Sequence, residues 1–152
     1  MSRNIKLSLF ASALAVALSI AAPAAAQVPA GVAGGSYNSY GRLKDPSTNK
    51  LPKLDRFVQI IPNGLGGFRY VVRNRDNVIV QSSLIVPKCL VSYDQNRSSY
   101  FQNFETVPAT RGGVVEQVTF YFRINDPSGD YDVYFQAPGG PLRSEVLLNV
   151  NK

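Results

Sequence analysis

The chain has 152 residues and a formal net charge of +6, with no histidine, no tryptophan and one cysteine. These counts exclude imidazole-based catalysis, histidine-ligated metals and a disulfide within the monomer. Composition is uneven along the chain, since 9 of the 13 alanines lie in the first 26 residues. The two parts are therefore interpreted separately.

Residues 1–26 have the pattern of a secretory signal peptide. Arg3 and Lys6 precede an apolar run at 7–22, and small residues at 23–26 supply a cleavage site. Cleavage would leave 126 residues and lower the net charge to +4. No second apolar stretch of the sequence approaches the ~20 residues of a membrane helix. We expect an exported bacterial protein, periplasmic or secreted, that does not span the membrane after cleavage; an uncleaved anchor is the alternative.

Residues 27–54 are predicted to form a flexible arm. The segment is rich in Gly, Ser, Asn, Pro and Tyr, and its few branched apolar residues cannot bury enough surface to offset the entropy of ordering. An unstructured N-terminus is one interpretation. The other is a tether, or a strand donated to a neighbouring subunit, because Val28, Ala30 and Val32 alternate weakly with smaller residues.

Residues 55–152 are predicted to form one all-β domain. Short runs of Val, Ile, Phe and Tyr are separated by turn residues, which is typical of pleated strands. The expected strands are 56–61, 68–73, 78–86, 100–106, 114–125, 131–136 and 144–150. Their number and spacing predict a single antiparallel β-sandwich of immunoglobulin-like size, with a small barrel as the alternative. Outer-membrane barrels have strands of ~10 residues, and most of these expected strands are shorter.

The hairpin at 114–136 allows a register to be predicted. A four-residue loop at 126–129 places Tyr121 opposite Tyr134 and makes the other face of the hairpin wholly apolar. A one-residue slip would turn the apolar side chains outward. On the last strand, the same alternation predicts that three apolar residues face inward: Val146, Leu148 and Val150.

The outward face of this hairpin is the candidate binding site. Tyrosine and arginine are enriched at binding surfaces, where a ring combines apolar contact with hydrogen bonding. The four residues expected to bind are Tyr121, Arg123, Tyr134 and Gln136. The alternative is an ordinary solvated sheet face, since half-exposed tyrosines are common in strands.

Cys89 is a candidate for an intermolecular disulfide. It directly follows a predicted strand, and a lone cysteine in an oxidising compartment can pair with a second chain. A buried, inert thiol is the alternative. Catalysis by Cys89 would require a base, and the chain has no histidine.

No catalytic residue, metal or cofactor is predicted. Asp126, Asp130 and Asp132 surround one loop without the spacing of an EF-hand calcium loop. A glycosidase would need two carboxylates and a cleft, whereas a domain of this size uses its interior for its own core. Three glutamates could supply the carboxylates: Glu105, Glu116 and Glu145. Basic residues are interspersed with acidic ones, which does not favour nucleic-acid binding.

These patterns predict a non-enzymatic binding module of the bacterial envelope or extracellular space. It is expected to engage a protein or polysaccharide partner through a sheet face or edge. The alternative is a structural subunit of a surface assembly, a homo-oligomer linked through the arm at 27–54 or through Cys89.

Overall fold

The computed structural model describes residues 31–64, 66–123 and 129–151, so the predicted signal peptide lies outside the described residues. Every regular secondary-structure element in these ranges is a β-strand. In chain order they are β1 (Gly35–Tyr40), β2 (Lys53–Pro62), β3 (Phe68–Asn74), β4 (Ile79–Pro87), β5 (Ser92–Asp94), β6 (Ser99–Val107), β7 (Gln117–Phe122), β8 (Tyr131–Gln136) and β9 (Leu142–Asn149).

Eight of the strands close into an antiparallel barrel. Strands β1 to β4 pair in sequence, β4 pairs with β6, and β6 to β9 continue the order. Strand β9 pairs with β1 and completes the ring. The ninth strand, β5, has three residues and pairs with the first three residues of β6. The architecture is an up-and-down barrel with one extra strand.

The predicted β-sandwich is wrong, although seven observed strands correspond to the seven expected ones. A strand with one buried face has the same alternation in a sandwich and in a barrel. What separates the two folds here is the pairing of β1 with β9 and of β4 with β6. The first joins opposite ends of the domain and the second bypasses β5, and a local pattern of apolar residues carries no information about either.

Strand β1 lies within the segment expected to be a flexible arm, and there the structure differs from the expectation. It pairs with β2 on one side and with β9 on the other. Tyr37 and Ser39 are completely buried. Strand β1 itself has no branched apolar residue, but the two flanking strands satisfy its backbone and the interior accepts its alternate side chains. Strand formation at this position depends on tertiary contacts more than on local propensity.

Aromatic side chains fill much of the barrel interior. The rings of Phe68 and Phe104 lie 4.9 Å apart, and those of Phe120 and Tyr131 lie 5.6 Å apart, both in edge-to-face contact. An eight-stranded barrel is just wide enough for side chains to fill it. The buried aromatic residues are Tyr37, Phe68, Tyr70, Phe104, Phe120, Phe122, Tyr131 and Phe135.

The β7–β8 hairpin has the predicted faces and a different register. Its predicted apolar face is buried wherever the structure describes it. Tyr121, however, lies opposite Asp132, and Tyr134 lies opposite Thr119. The pairing is therefore shifted by two residues from the prediction. Side-chain direction repeats every two residues, so alternation alone could not distinguish the two registers.

On β9 the predicted inward residues are wrong. Glu145 and Leu147 are buried, while Val146 and Leu148 lie half-buried on the outside and Val150 follows the strand. The prediction placed every apolar residue of one alternating set inside. It failed because a glutamate occupies an interior position, and such violations of local rules concentrate at functional or strained sites.

Candidate functional site

The outward side chains of β6, β7 and β8 form three rungs across the barrel wall. Antiparallel pairing brings residues of equal height side by side. We call the following nine residues the outer face: Phe101, Tyr121 and Asp132 in the first rung, Asn103, Thr119 and Tyr134 in the second, and Glu105, Gln117 and Gln136 in the third.

Two predicted site residues, Tyr121 and Tyr134, are in contact at the centre of the outer face. They occupy diagonal positions of neighbouring strands, and their ring centroids lie 5.6 Å apart at an interplanar angle of 81°. Phe101 lies 5.8 Å from the ring of Tyr121 on the other side. Diagonal neighbours on a sheet are within reach of aromatic side chains, so the two-residue register shift preserved this contact.

Arg97 lies over both tyrosine rings. Its guanidinium carbon is 4.2 Å from the ring centroid of Tyr121 and 5.0 Å from that of Tyr134. Its Nη1 donates a hydrogen bond of 2.9 Å to the Tyr134 hydroxyl. The carboxylate of Asp94 lies 3.8 Å from Nε. Four contacts thus hold one arginine across the aromatic pair.

Arg97 belongs to the turn between β5 and β6, which places its side chain over the two tyrosine rings. The Asp94 carboxylate accepts a hydrogen bond of 2.9 Å from the backbone N–H of Asn96. Ser98 has a positive φ of 48°, which turns the chain back into β6. Sequence analysis missed Arg97 because the three-residue strand β5 gives too short a pattern to place this turn beside β7 and β8.

Arg42 is a second arginine that sequence analysis missed. Its guanidinium carbon lies 4.6 Å from the ring centroid of Tyr134. Arg42 comes two residues after β1. Its position beside β8 therefore depends on β1 completing the barrel, which the predicted flexible arm could not indicate.

The predicted site residue Arg123 is exposed and lies just beyond the end of β7. Together with Tyr121 and Asp132 it lines a depression of about 320 Å³ at this end of the barrel. The depression adjoins the first rung of the outer face. The structure thus places Arg123 at the border of the candidate site.

The side chain of the predicted site residue Gln136 is hydrogen-bonded within the turn that follows β8. Its amide nitrogen donates hydrogen bonds to the carbonyl oxygens of Ala137, at 3.2 Å, and of Gly140. Gly139 in this turn has a positive φ of 68°, a conformation that favours glycine. Gln136 therefore stabilises the β8–β9 connection at the far edge of the outer face.

Cys89 is half-buried and lies against β6. Its Sγ accepts a hydrogen bond of 3.4 Å from the backbone N–H of Asn103, and its carbonyl oxygen accepts one of 3.3 Å from the Gln102 amide. The neighbouring Leu90 is strongly exposed. An intermolecular disulfide through Cys89 stays a prediction.

A polar group of residues lies inside the barrel, at the end where β2, β4 and β9 begin. Buried Glu145 accepts a hydrogen bond of 2.5 Å from the Ser39 hydroxyl and a second one from the Tyr70 hydroxyl. Nη1 of the partly exposed Arg56 lies 3.9 Å from the same carboxylate. We call Ser39, Arg56, Tyr70 and Glu145 the interior cluster. Each of these residues belongs to a different strand.

The interior cluster has the properties of a structural network. A cavity of about 50 Å³ adjoins Arg56, Gln81 and Glu145, which is enough volume for water and too little for an organic ligand. Of the three glutamates considered as carboxylate pairs, Glu145 lies inside, Glu105 lies on the outer face, and Glu116 pairs with Arg143 at 2.5 Å.

Burial raises the pKa of Tyr70 well above its usual value of 10.0, and the negative charge of Glu145 raises it further. We expect the free energy of unfolding to be unaffected by this residue below pH 10 and to fall above it. There the unfolded chain releases a proton that the folded protein keeps, at a cost approaching about 1.4 kcal/mol per pH unit until the folded pKa is passed. Urea unfolding at a series of alkaline pH values would measure this, and Tyr70→Phe should remove this component. An equal slope in the variant would contradict the assignment.

The described ranges contain no cluster of His, Cys, Asp and Glu side chains suited to a metal ion; Asp126 lies outside them. Within the same ranges there is no helix long and apolar enough to cross a membrane. The chain matches no protein-family model, no curated protein and no solved structure.

Proposed function

We propose that this protein is an exported, non-enzymatic binding module whose partner docks on the outer face. The observation that carries the proposal is the guanidinium of Arg97 held across Tyr121 and Tyr134. The pattern of residues 1–26 supports export. The filling of the barrel with its own aromatic side chains favours a site on the wall over one in the interior.

Arg97 is suited to recognise an anionic group. A guanidinium has five N–H donors, and one of them is used by the Tyr134 hydroxyl. Asp94, at 3.8 Å, lies beyond hydrogen-bonding distance. Because the side chain is already ordered by the two rings, binding costs less conformational entropy than it would with a free arginine. Arg42 adds a second positive charge beside Tyr134.

The remaining rungs favour a polymer rich in hydroxyl groups. Thr119 donates a hydrogen bond of 2.8 Å to the Asn103 side chain, and Gln117 donates one of 3.2 Å to Glu105. Such amide and hydroxyl groups beside half-buried aromatic rings match the alternation of polar and apolar surfaces on a sugar. We therefore propose an acidic polysaccharide as the partner class, with a protein partner as the alternative.

Affinity electrophoresis in gels containing polygalacturonate or neutral dextran tests the proposal. We expect retardation by the polyuronate that weakens as salt screens the charges. Arg97→Ala should weaken binding about tenfold or more, which corresponds to about 1.4 kcal/mol. Arg97→Lys should retain part of the affinity, because an ammonium keeps the charge and loses the planar fork of donors.

Arg111→Ala is the matched control, since it removes the same charge from an exposed loop between β6 and β7. We expect it to bind as the unchanged protein does, and thermal unfolding should show that all variants are folded. Equal losses for Arg97→Ala and Arg111→Ala would mean that binding reflects net charge alone. A protein that the polyuronate does not retard would refute the partner class.

A further inference from the structure

We propose that a depression beside the start of β2 is a second binding site, and that it takes a small sugar phosphate. We call it the β2 depression. Its volume is about 500 Å³, which lies within the ~300–1,000 Å³ of small-molecule sites and exceeds what a single ion needs. None of its lining residues belongs to the outer face. They are Asn38, residues 53–57, Asn74, Arg75 and Asn77.

The β2 depression lies at an irregularity in the pairing of β1 with β2. Asn38 lies opposite Phe57, and Tyr40 lies opposite Lys53, so β2 advances four residues where β1 advances two. In a regular strand, consecutive side chains point to opposite faces, yet residues 53–57 all line this depression. The extra residues of β2 therefore redirect side chains toward it. Bulges are over-represented at barrel rims and next to active sites.

Basic side chains dominate the lining of the β2 depression. It contains three basic residues, Lys53, Arg56 and Arg75, and one carboxylate, Asp55, which gives a net charge of +2. Lys53 is exposed and forms no ion pair within the described ranges. Arg75 lies 3.2 Å from Asp55, and the two side chains are 78% and 68% exposed. Exposed pairs of this kind are weak, so a ligand anion can compete with Asp55 for Arg75.

Arg56 connects the β2 depression with the interior of the barrel. It lines both the depression and the small cavity beside Glu145. Its Nη1 lies 3.9 Å from the Glu145 carboxylate, which is beyond hydrogen-bonding distance. Glu145 instead accepts hydrogen bonds from Ser39 and Tyr70. The guanidinium donors of Arg56 are therefore available to a ligand.

The chemistry of the lining matches a phosphate monoester on a sugar. At pH 7 such a phosphate carries a charge of about −1.5 to −2, which balances the net charge of the depression. Guanidinium groups bind phosphate oxygens bidentately. The side-chain amides of Asn38, Asn74 and Asn77 are suited to sugar hydroxyls, and half-buried Leu54 and Phe57 offer apolar contact to the ring. Inorganic phosphate would use only the charges.

Calorimetric titration of the purified protein with glucose 6-phosphate tests the proposal. We expect binding that weakens as salt is added, and binding about tenfold weaker or less for glucose and for inorganic phosphate. Lys53→Ala and Arg75→Ala should each weaken binding about threefold, because each removes one of the three positive charges. Asp55→Asn should strengthen binding about threefold, because it frees Arg75 and removes the negative charge.

Lys50→Ala is the matched control for Lys53→Ala. Lys50 is an exposed residue between β1 and β2 that does not line the depression, so this variant should bind as the unchanged protein does. Nuclear magnetic resonance spectra should show that all variants are folded. In these spectra the ligand should shift the side-chain amide signals of Asn74 and Asn77 and leave that of Asn103, on the outer face, unchanged.

The site is refuted if glucose 6-phosphate does not bind or shifts the outer face instead. Equal losses in Lys53→Ala and Lys50→Ala would mean that net charge alone attracts the ligand, and weaker binding by Asp55→Asn would contradict the role given to Arg75. Glucose that binds as tightly as its phosphate would refute recognition of the anion. Inorganic phosphate that binds as tightly would refute recognition of the sugar.

Discussion

Deleting residues 31–40 should abolish the cooperative folding of the barrel. The deletion removes β1 and with it the hydrogen bonds to β2 and β9, so two sheet edges inside a closed barrel would be left open. It also empties the completely buried position of Tyr37. Truncation of a large buried aromatic alone typically costs about 3–5 kcal/mol. Together with the lost strand pairing, this loss would remove most of the ~5–15 kcal/mol of unfolding free energy that is typical of a domain.

Thermal and urea unfolding, followed by near-ultraviolet circular dichroism, would measure this loss. A protein that lacks only residues 1–30 is the control and should unfold cooperatively, since it keeps every described strand. Adding a peptide of residues 31–42 in trans should restore part of the native signal if β1 fills its place between β2 and β9. Cooperative unfolding after deletion of 31–40 would instead support the flexible arm.

The position of β1 also bears on the alternative of a surface assembly linked through an N-terminal arm. Tyr37, Asn38 and Tyr40 pair on both sides within their own barrel. They have no free edge to donate to another subunit. A link through the arm would therefore have to use residues of 27–54 that lie outside β1, such as the largely exposed segment between β1 and β2.

Local sequence pattern predicted the strands well because it reports which residues fit a half-buried pleated surface. It missed β1, whose buried residues are a tyrosine and a serine in a Gly-rich segment, and β5, which has three residues. It could not predict closure, because the pairing of β9 with β1 joins opposite ends of the domain. The inverted prediction for β9 has a different cause, which is the buried carboxylate of Glu145.

Local sequence pattern also predicted only part of the candidate site, namely the two tyrosines and not the arginines. Alternation placed Tyr121 and Tyr134 on one outward face, and the structure brings their rings together. Arg97 and Arg42 reach them from a turn and from the segment after β1. Neither position follows a periodic pattern. The tyrosines belong to the sheet itself, whereas the arginines depend on how the barrel closes around it.

Glu145 and Tyr70 should show a large coupling in a double-mutant cycle. Glu145→Met leaves the Ser39 and Tyr70 hydroxyls without their acceptor, and Tyr70→Phe leaves the buried carboxylate short of a donor. A hydrogen bond to a charged group is worth about 1.5–3 kcal/mol, and an unsatisfied buried group costs a similar amount. The double variant removes both partners, so it should lose about 2 kcal/mol less than the sum of the two single losses.

Thr106→Val provides the matched control for this cycle. Its buried hydroxyl accepts a hydrogen bond of 2.8 Å from the backbone N–H of Glu116, and it belongs to β6, which contributes no residue to the interior cluster. Its loss should add to that of Glu145→Met without coupling. Equal coupling in both cycles would indicate a general loosening of the core. Specific coupling with Tyr70 would show that the carboxylate of β9 is tied to β3. The Ser39 hydroxyl donates to the same carboxylate from β1, so a second cycle between Glu145 and Ser39 would test the link that holds β1 in the barrel.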